Sequence, residues 1–175
     1  MASGLDFEGV VARYYEPLFK FAFSLARTES EACDLTQQTF YVWAAKGHQL
    51  RDHTKVKTWL FTTLHRHFLE TRRRQTRFPH HELGEVEFEL PAVAPSFANR
   101  LDGALVLRAL GQVDEIYQAA VALFYLEDHA YKEIAEILDV PLGTVKSRIA
   151  RGIAQLQKLL EDDISAAGHS ETQTS

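Results

Sequence analysis

One cysteine, Cys33, in 175 residues excludes an internal disulfide, and a lone thiol suits a reducing compartment. No stretch reaches eighteen uninterrupted apolar residues, so no membrane insertion is expected. The opening Met1-Ala2-Ser3-Gly4-Leu5-Asp6-Phe7-Glu8 has no positive charge followed by an apolar run; a secretory signal is not expected, and the expected location is cytoplasmic. Gly-x-Ser-x-Gly, a phosphate-binding glycine loop, Gly-x-Gly-x-x-Gly and paired cysteines are all missing. The eight histidines do not replace them. His65 and His67 stand at i, i+2, facing apart on a helix, and His80-His81-Glu82 is not His-Glu-x-x-His. An enzyme, a metal site and a cofactor are therefore not expected. Internal repeats and strand-period alternation long enough for a sheet are missing as well.

What is present is the balance of a soluble globular chain, 46% apolar and 25% charged, long enough for one ordinary domain or two small ones. The net charge of −5 argues against a generic nucleic-acid coat, but its distribution is uneven. Residues 46–78 hold nine Lys and Arg against two acids, and residues 141–160 hold four against none. The rest of the chain is acidic. Local basic blocks are the electrostatic footprint of phosphate binding; either alone could equally be a solvated helix face.

Helical spacing organises most of the chain. Phe7, Val10, Val11, Tyr14, Leu18, Phe21, Ala22 and Leu25 mark a first helix, which Pro17 is expected to break or kink. Thr28 and Glu31 have capping-box spacing and predict a second start, with Ala32, Leu35, Thr39 and Val42 inward and Gly47 as the stop. Its other face shows Asp34, Gln37, Gln38 and Tyr41. A third helix is predicted from about Thr54 to Arg77, with Val56, Leu60, Leu64 and Phe68 on one side. Between 79 and 103 the periodicity is lost among three prolines and five acids, which predicts a flexible linker reaching roughly 80 Å when extended. The expected fold is all-α: a helical domain over 1–78, the acidic linker 79–103, a second helical domain over 104–161 and a disordered tail over 162–175.

Two segments carry chemistry. Residues 130–154 pair a short helix (Ile134, Ala135, Ile137, Leu138) with a turn at Asp139-Val140-Pro141 and a second helix facing Val145, Ile149, Ile153, Leu156 and Leu160 inward. Thr144, Lys146, Ser147, Arg148 and Arg151 lie on its outward side. This is a helix-turn-helix, whose second helix enters the major groove; Arg suits a guanine edge, Lys and Ser suit phosphates. A plain hairpin with a basic face is the bland alternative. Residues 54–78 interleave Trp59, Phe61 and Phe68 with His65, Arg66, Arg72, Arg73, Arg74 and Arg77. Aromatic and guanidinium planes among cations form a single-strand platform. Burial is the alternative for the aromatics, and a solvated helix end for the arginines.

Glu31-Ala32-Cys33-Asp34-Leu35-Thr36-Gln37-Gln38-Thr39-Phe40, Trp59-Leu60-Phe61-Thr62-Thr63-Leu64, the arginine cluster, and Tyr131-Lys132-Glu133-Ile134-Ala135 through Gly143-Thr144-Val145-Lys146-Ser147-Arg148 occur in one order and spacing. With them the chain from Phe7 to Leu160 resembles a bacterial RNA polymerase sigma factor of the extracytoplasmic-function (ECF) class. The resemblance implies promoter-specific transcription initiation with RNA polymerase core, and a first domain that docks core through Asp34, Gln37, Gln38 and Tyr41. It implies −10 element opening by Trp59, His65, Arg66, Arg72, Arg73 and Arg74, with the loop at 48–53. Duplex −35 readout falls to Thr144, Lys146, Ser147, Arg148 and Arg151. Melting a short element needs no nucleotide hydrolysis, because unstacking a base costs a few kcal/mol and stacking returns about 1–3 kcal/mol. An anti-sigma or other regulatory protein is the further partner implied. The chain departs from the family pattern at Gln38, Arg66 and His67. Two rivals stay open: a helix-turn-helix regulator that does not replace the sigma subunit, and a sigma-like protein without promoter melting.

Overall fold

The computed structural model describes residues 6–77 and 101–170, without the side chains of 77, 101–104, 169 and 170. Among the described residues every regular element is helical, in the order α1 (Phe7–Ala26), α2 (Glu29–Lys46), α3 (Val56–Arg77), α4 (Leu101–Gln112), α5 (Glu115–Glu127), α6 (Tyr131–Leu138) and α7 (Leu142–Ser170). Two short 3-10 turns, Gly47–Gln49 and His53–Lys55, link α2 to α3. Of the expected linker, 79–100 lies outside the described residues and 101–103 already belong to α4. Of the expected tail, 171–175 lies outside, while 162–170 continue α7 as helix. Propagating an existing helix through Glu161, Asp162 and Asp163 into Ala166 and Ala167 needs no new nucleus.

α1 is continuous through Pro17, contrary to the expected break. A proline inside a helix costs about 3 kcal/mol, and a fully buried Leu or Phe returns about 1.5–3 kcal/mol. Leu18, Phe21, Phe23 and Leu25 are all buried just beyond it, so packing outweighs the lost hydrogen bond. The second start falls where the capping box puts it: Thr28 is the N-cap, and its Oγ1 accepts from the Glu31 N–H at 3.3 Å. Gly47 follows the last residue of α2, and sterics require a glycine there. Its φ of −58° is ordinary, but a Cβ there would stand 2.6 Å from the Trp43 indole.

The helices form two groups that pack on each other. In the first, α1 lies against α2 and α3; in the second, α4, α5 and α6 surround the N-terminal half of α7. The second group has its own small core of Ala109, Leu110, Val113, Val121 and Leu156. α7 crosses α5 closely at Gly152, where a Cβ would come within 2.2 Å of Val121 Cγ2. The larger core is shared, because α1 also packs on α4 and α5, and α3 packs on α6. This double contact buries the second half of α1 on every side, from Leu18 to Ala26 apart from Lys20.

Candidate nucleic-acid interface

α2 belongs to the outer layer; among the described residues it packs on α1, α3 and the 3-10 turn that follows it. Its inner side buries Ala32, Leu35, Thr36, Thr39, Phe40 and Trp43, and the two threonine hydroxyls donate to the carbonyls of Ala32 and Leu35 at 2.7 Å. The opposite side leaves Asp34, Gln37, Gln38 and Tyr41 exposed in one row, with Tyr41 72% exposed. A groove of about 430 Å³ beside this row, lined by Asp34, Gln38, His67, Glu70, Arg72 and Arg74 among others, joins α2 to the basic end of α3.

The six residues expected on the strand-opening helix have different surroundings. Arg66, Arg73 and Arg74 are exposed. The Arg72 guanidinium lies 5.2 Å from the Phe68 ring centroid, and its Nε is 3.8 Å from Glu115. Trp59 is half-buried, edge-on to Trp43 at 5.2 Å. His65 is buried, and burial with the nearby Arg148 charge lowers its pKa to about 4. The preceding loop is braced by Asp52, whose Oδ1 accepts from the Thr54 N–H at 3.0 Å and the Thr54 hydroxyl at 2.6 Å. Those two bonds hold its carboxyl below the usual carboxylate range.

The helix-turn-helix closes on Asp139, a left-handed residue with φ 54°, and the Val140 N–H reaches back to the Ala135 carbonyl at 3.1 Å. α7 then buries Val145, Ile149 and Leu156. Lys146, Ser147 and Arg151 are exposed, and Thr144 and Arg148 are half-exposed. These five residues share the first three turns of one helix, the length that a major groove reads.

The basic helix α3 and the helix-turn-helix meet. Phe61 and Leu64 share a core with Ile134, Ile137 and Leu138. The His129 side chain is wholly enclosed; its Nδ1–H donates to Glu133 at 2.9 Å and its ring stands edge-on to Phe61 at 4.9 Å. Its Nε2 is the only buried side-chain polar atom without a hydrogen-bond partner among the described residues. Lys57 Nζ donates to the Glu127 carbonyl at 2.9 Å, and Lys55 pairs with Glu136 at 3.5 Å. Burial pushes the Glu127 carboxyl up to about 6 and pulls the His129 imidazole down. The reading of the sequence did not single out Glu127 or His129, and no motif marks either.

Comparison with known proteins gives a consistent likeness over both groups. The family model for Sigma-70 region 2 matches residues 10–78, and that for Sigma-70, region 4 matches residues 104–156. The ECF RNA polymerase sigma factor SigE of Mycolicibacterium smegmatis is 30% identical over 169 residues, covering 94% of this chain; the chain spans 65% of the length of SigE. RNA polymerase sigma factor YlaC of Bacillus subtilis is 28% identical over 86% of this chain and 90% of its own. Among solved structures, the sigma factor RpoE, co-crystallised with the anti-sigma factor NepR from Bartonella quintana, superposes with a TM-score of 0.75 at 27% identity, covering 89% of this chain and 97% of RpoE. CnrH in complex with the cytosolic domain of CnrY superposes with a TM-score of 0.62 at 25% identity, over 90% of this chain and 88% of CnrH.

Proposed function

This chain belongs to the sigma-70 family of RNA polymerase sigma factors, in its ECF class, and from that membership we propose that it directs promoter-specific transcription initiation. The observation that carries the proposal is the pairing, on one chain, of an exposed Asp34-Gln37-Gln38-Tyr41 row with two basic helices in the family's order. In this reading the chain joins RNA polymerase core through the α2 row, working in the cytoplasm and catalysing no reaction itself. Residues 1–78 form the core-binding and −10 module, and 104–161 the −35 module, with 79–103 as tether and 162–175 as tail.

Each role follows from side-chain chemistry. Arg148 and Arg151 read base edges from the major groove, while Lys146, Ser147 and Thr144 fix the helix on phosphates. Arg66, Arg72, Arg73 and Arg74 follow the opened strand, and Trp59 and His65 take part once they are uncovered. A regulatory protein of the anti-sigma kind fits the same reading, as RpoE was solved with NepR. The helix-turn-helix regulator accounts for 104–156 alone and leaves residues 10–78 without a task, so it is not favoured.

Run-off transcription with core polymerase, this protein and a fragmented genomic library tests the proposal. Specific starts that share two spaced upstream motifs are expected. Core binding without starts would leave a factor that has lost melting; neither binding nor starts would return the chain to the DNA-binding regulators.

A further inference from the structure

Which side chains of α7 lead into a DNA groove depends on how that helix is rolled about its own axis, and this inference rests on the promoter reading proposed above. The roll is fixed from behind. Val145, Ile149, Gly152 and Leu156 are buried. At Gly152 the crossing with α5 is so close that a Cβ would collide with Val121 Cγ2 and stand 3.0 Å from Tyr117 Cβ. Gln155 ties the next turn to Asp114, between α4 and α5. Its Oε1 accepts from the Asp114 N–H at 2.9 Å, and its Nε2 donates to the Asp114 carboxylate at 2.7 Å.

A fixed back determines the front. At 3.6 residues per turn, Ala150 and Ala154 leave the helix roughly 160° away from Gly152, and Ser147 roughly 140° away. Arg151 and Lys146 leave on opposite shoulders, at roughly 100° and roughly 120°. All five are exposed, as these directions require. Ala154 lies in the fourth turn, past the length that a groove reads. The Ser147 hydroxyl is turned back on its own helix, donating to the Thr144 carbonyl at 3.2 Å. The centre of the leading face is therefore the Ala150 methyl, with a cation on either side.

A helix about 10–12 Å across fills a major groove about 12 Å wide, so the residue at the middle of its leading face comes nearest the base edges. An alanine there brings one methyl and no polar side-chain atom. The apolar group that bases offer on the major-groove side is the 5-methyl of thymine. We infer that Ala150 is a specificity-determining residue: between Lys146 and Arg151, its methyl packs on the 5-methyl group of a thymine in the −35 element. The preference for that thymine is then set by shape and apolar contact, with no hydrogen bond to the base.

Uracil is thymine without the 5-methyl and leaves base pairing unchanged, which makes it the probe. Holoenzyme, reconstituted from core polymerase and the full chain, is given promoter duplexes identified by run-off transcription. Each thymine of the −35 element, on either strand, is replaced in turn by deoxyuridine, and affinity is measured by competition. With the wild-type chain, one replacement is expected to weaken binding about fourfold, the worth of one buried methyl. With Ala150→Gly the same replacement is expected to change affinity by less than about 1.5-fold, while any other uracil-sensitive position keeps its response. Each value is a ratio within one protein, so a partly unfolded glycine variant does not distort it. If no −35 thymine responds to uracil in wild type, or every responsive position responds equally in Ala150→Gly, the assignment of Ala150 is overturned and the sigma function stands. An absence of specific starts with the wild-type chain refutes the sigma function and takes this assignment with it.

Discussion

His65 offers the most quantitative check on the packing of the two helical groups. Its imidazole is buried within reach of the Arg148 charge, and burial together with Arg148 sets its pKa near 4 instead of 6.5. The folded protein therefore binds fewer protons at this site than the unfolded chain, so the destabilisation appears as pH falls below 6.5 and is complete below 4. The full shift is worth about 3 kcal/mol, and at pH 5 the accumulated loss is about 2 kcal/mol, against almost nothing at pH 7.5. His129, with its pKa also lowered, adds in the same direction. Glu127 opposes both, because its raised carboxyl takes up a proton more readily in the folded state between about 6 and 4.5. Comparing wild type with His65→Phe cancels those two groups, since both proteins contain them. Urea unfolding at about pH 7.5 and about pH 5 should show wild type losing about 2 kcal/mol more than the variant, with His65→Gln as a second comparison. A difference that stays constant within a few tenths of a kcal/mol, or an NMR titration placing His65 near 6.5, would falsify the burial of His65.

Three further outcomes follow from the packing and the proposed roles. Asp34→Lys reverses charge on an exposed position of α2 and should weaken binding to core polymerase without lowering the melting temperature; unchanged core affinity would remove α2 from the docking face. Arg148→Ala should weaken −35 duplex binding by about 1–3 kcal/mol and relax preference at one or two positions, measured by competition with base-substituted duplexes; unaltered affinity and preference would mean that the reading face lies elsewhere on α7. Gly152→Ala gains roughly 1 kcal/mol of helix propensity but drives a methyl toward Val121, an overpacking worth about 1–3 kcal/mol. Thermal unfolding should show net destabilisation that shrinks in a Val121→Ala background, and equal effects in both backgrounds would refute the close crossing.

Much of this protein was legible in the sequence because the relevant physics is local. Helix spacing located the inner row of α3 and, in α2, Ala32, Leu35 and Thr39, while Val42, expected inward, is only half-buried and Trp43 takes the inner place; Thr28 marked a helix start through one side-chain hydrogen bond, and the basic second helix of the helix-turn-helix declared its outward face by residue type. Family order then joined those pieces into a sigma factor. Other features depend on neighbours distant along the chain. Gly47 stands at the end of α2 as expected, yet the need for a glycine there comes from the room it leaves Trp43, and Pro17, expected to break or kink α1, lies within one continuous helix that packs on both sides. One sign of that packing was visible: Phe19-Lys20-Phe21-Ala22-Phe23-Ser24-Leu25-Ala26 is apolar nearly all round, the pattern of a helix buried on every face. Which second surface covers it was not written there. Burial of His65 and enclosure of His129 against Phe61 were decided only when the two helical groups met, because apolar contact is non-directional and any complementary face satisfies the pattern.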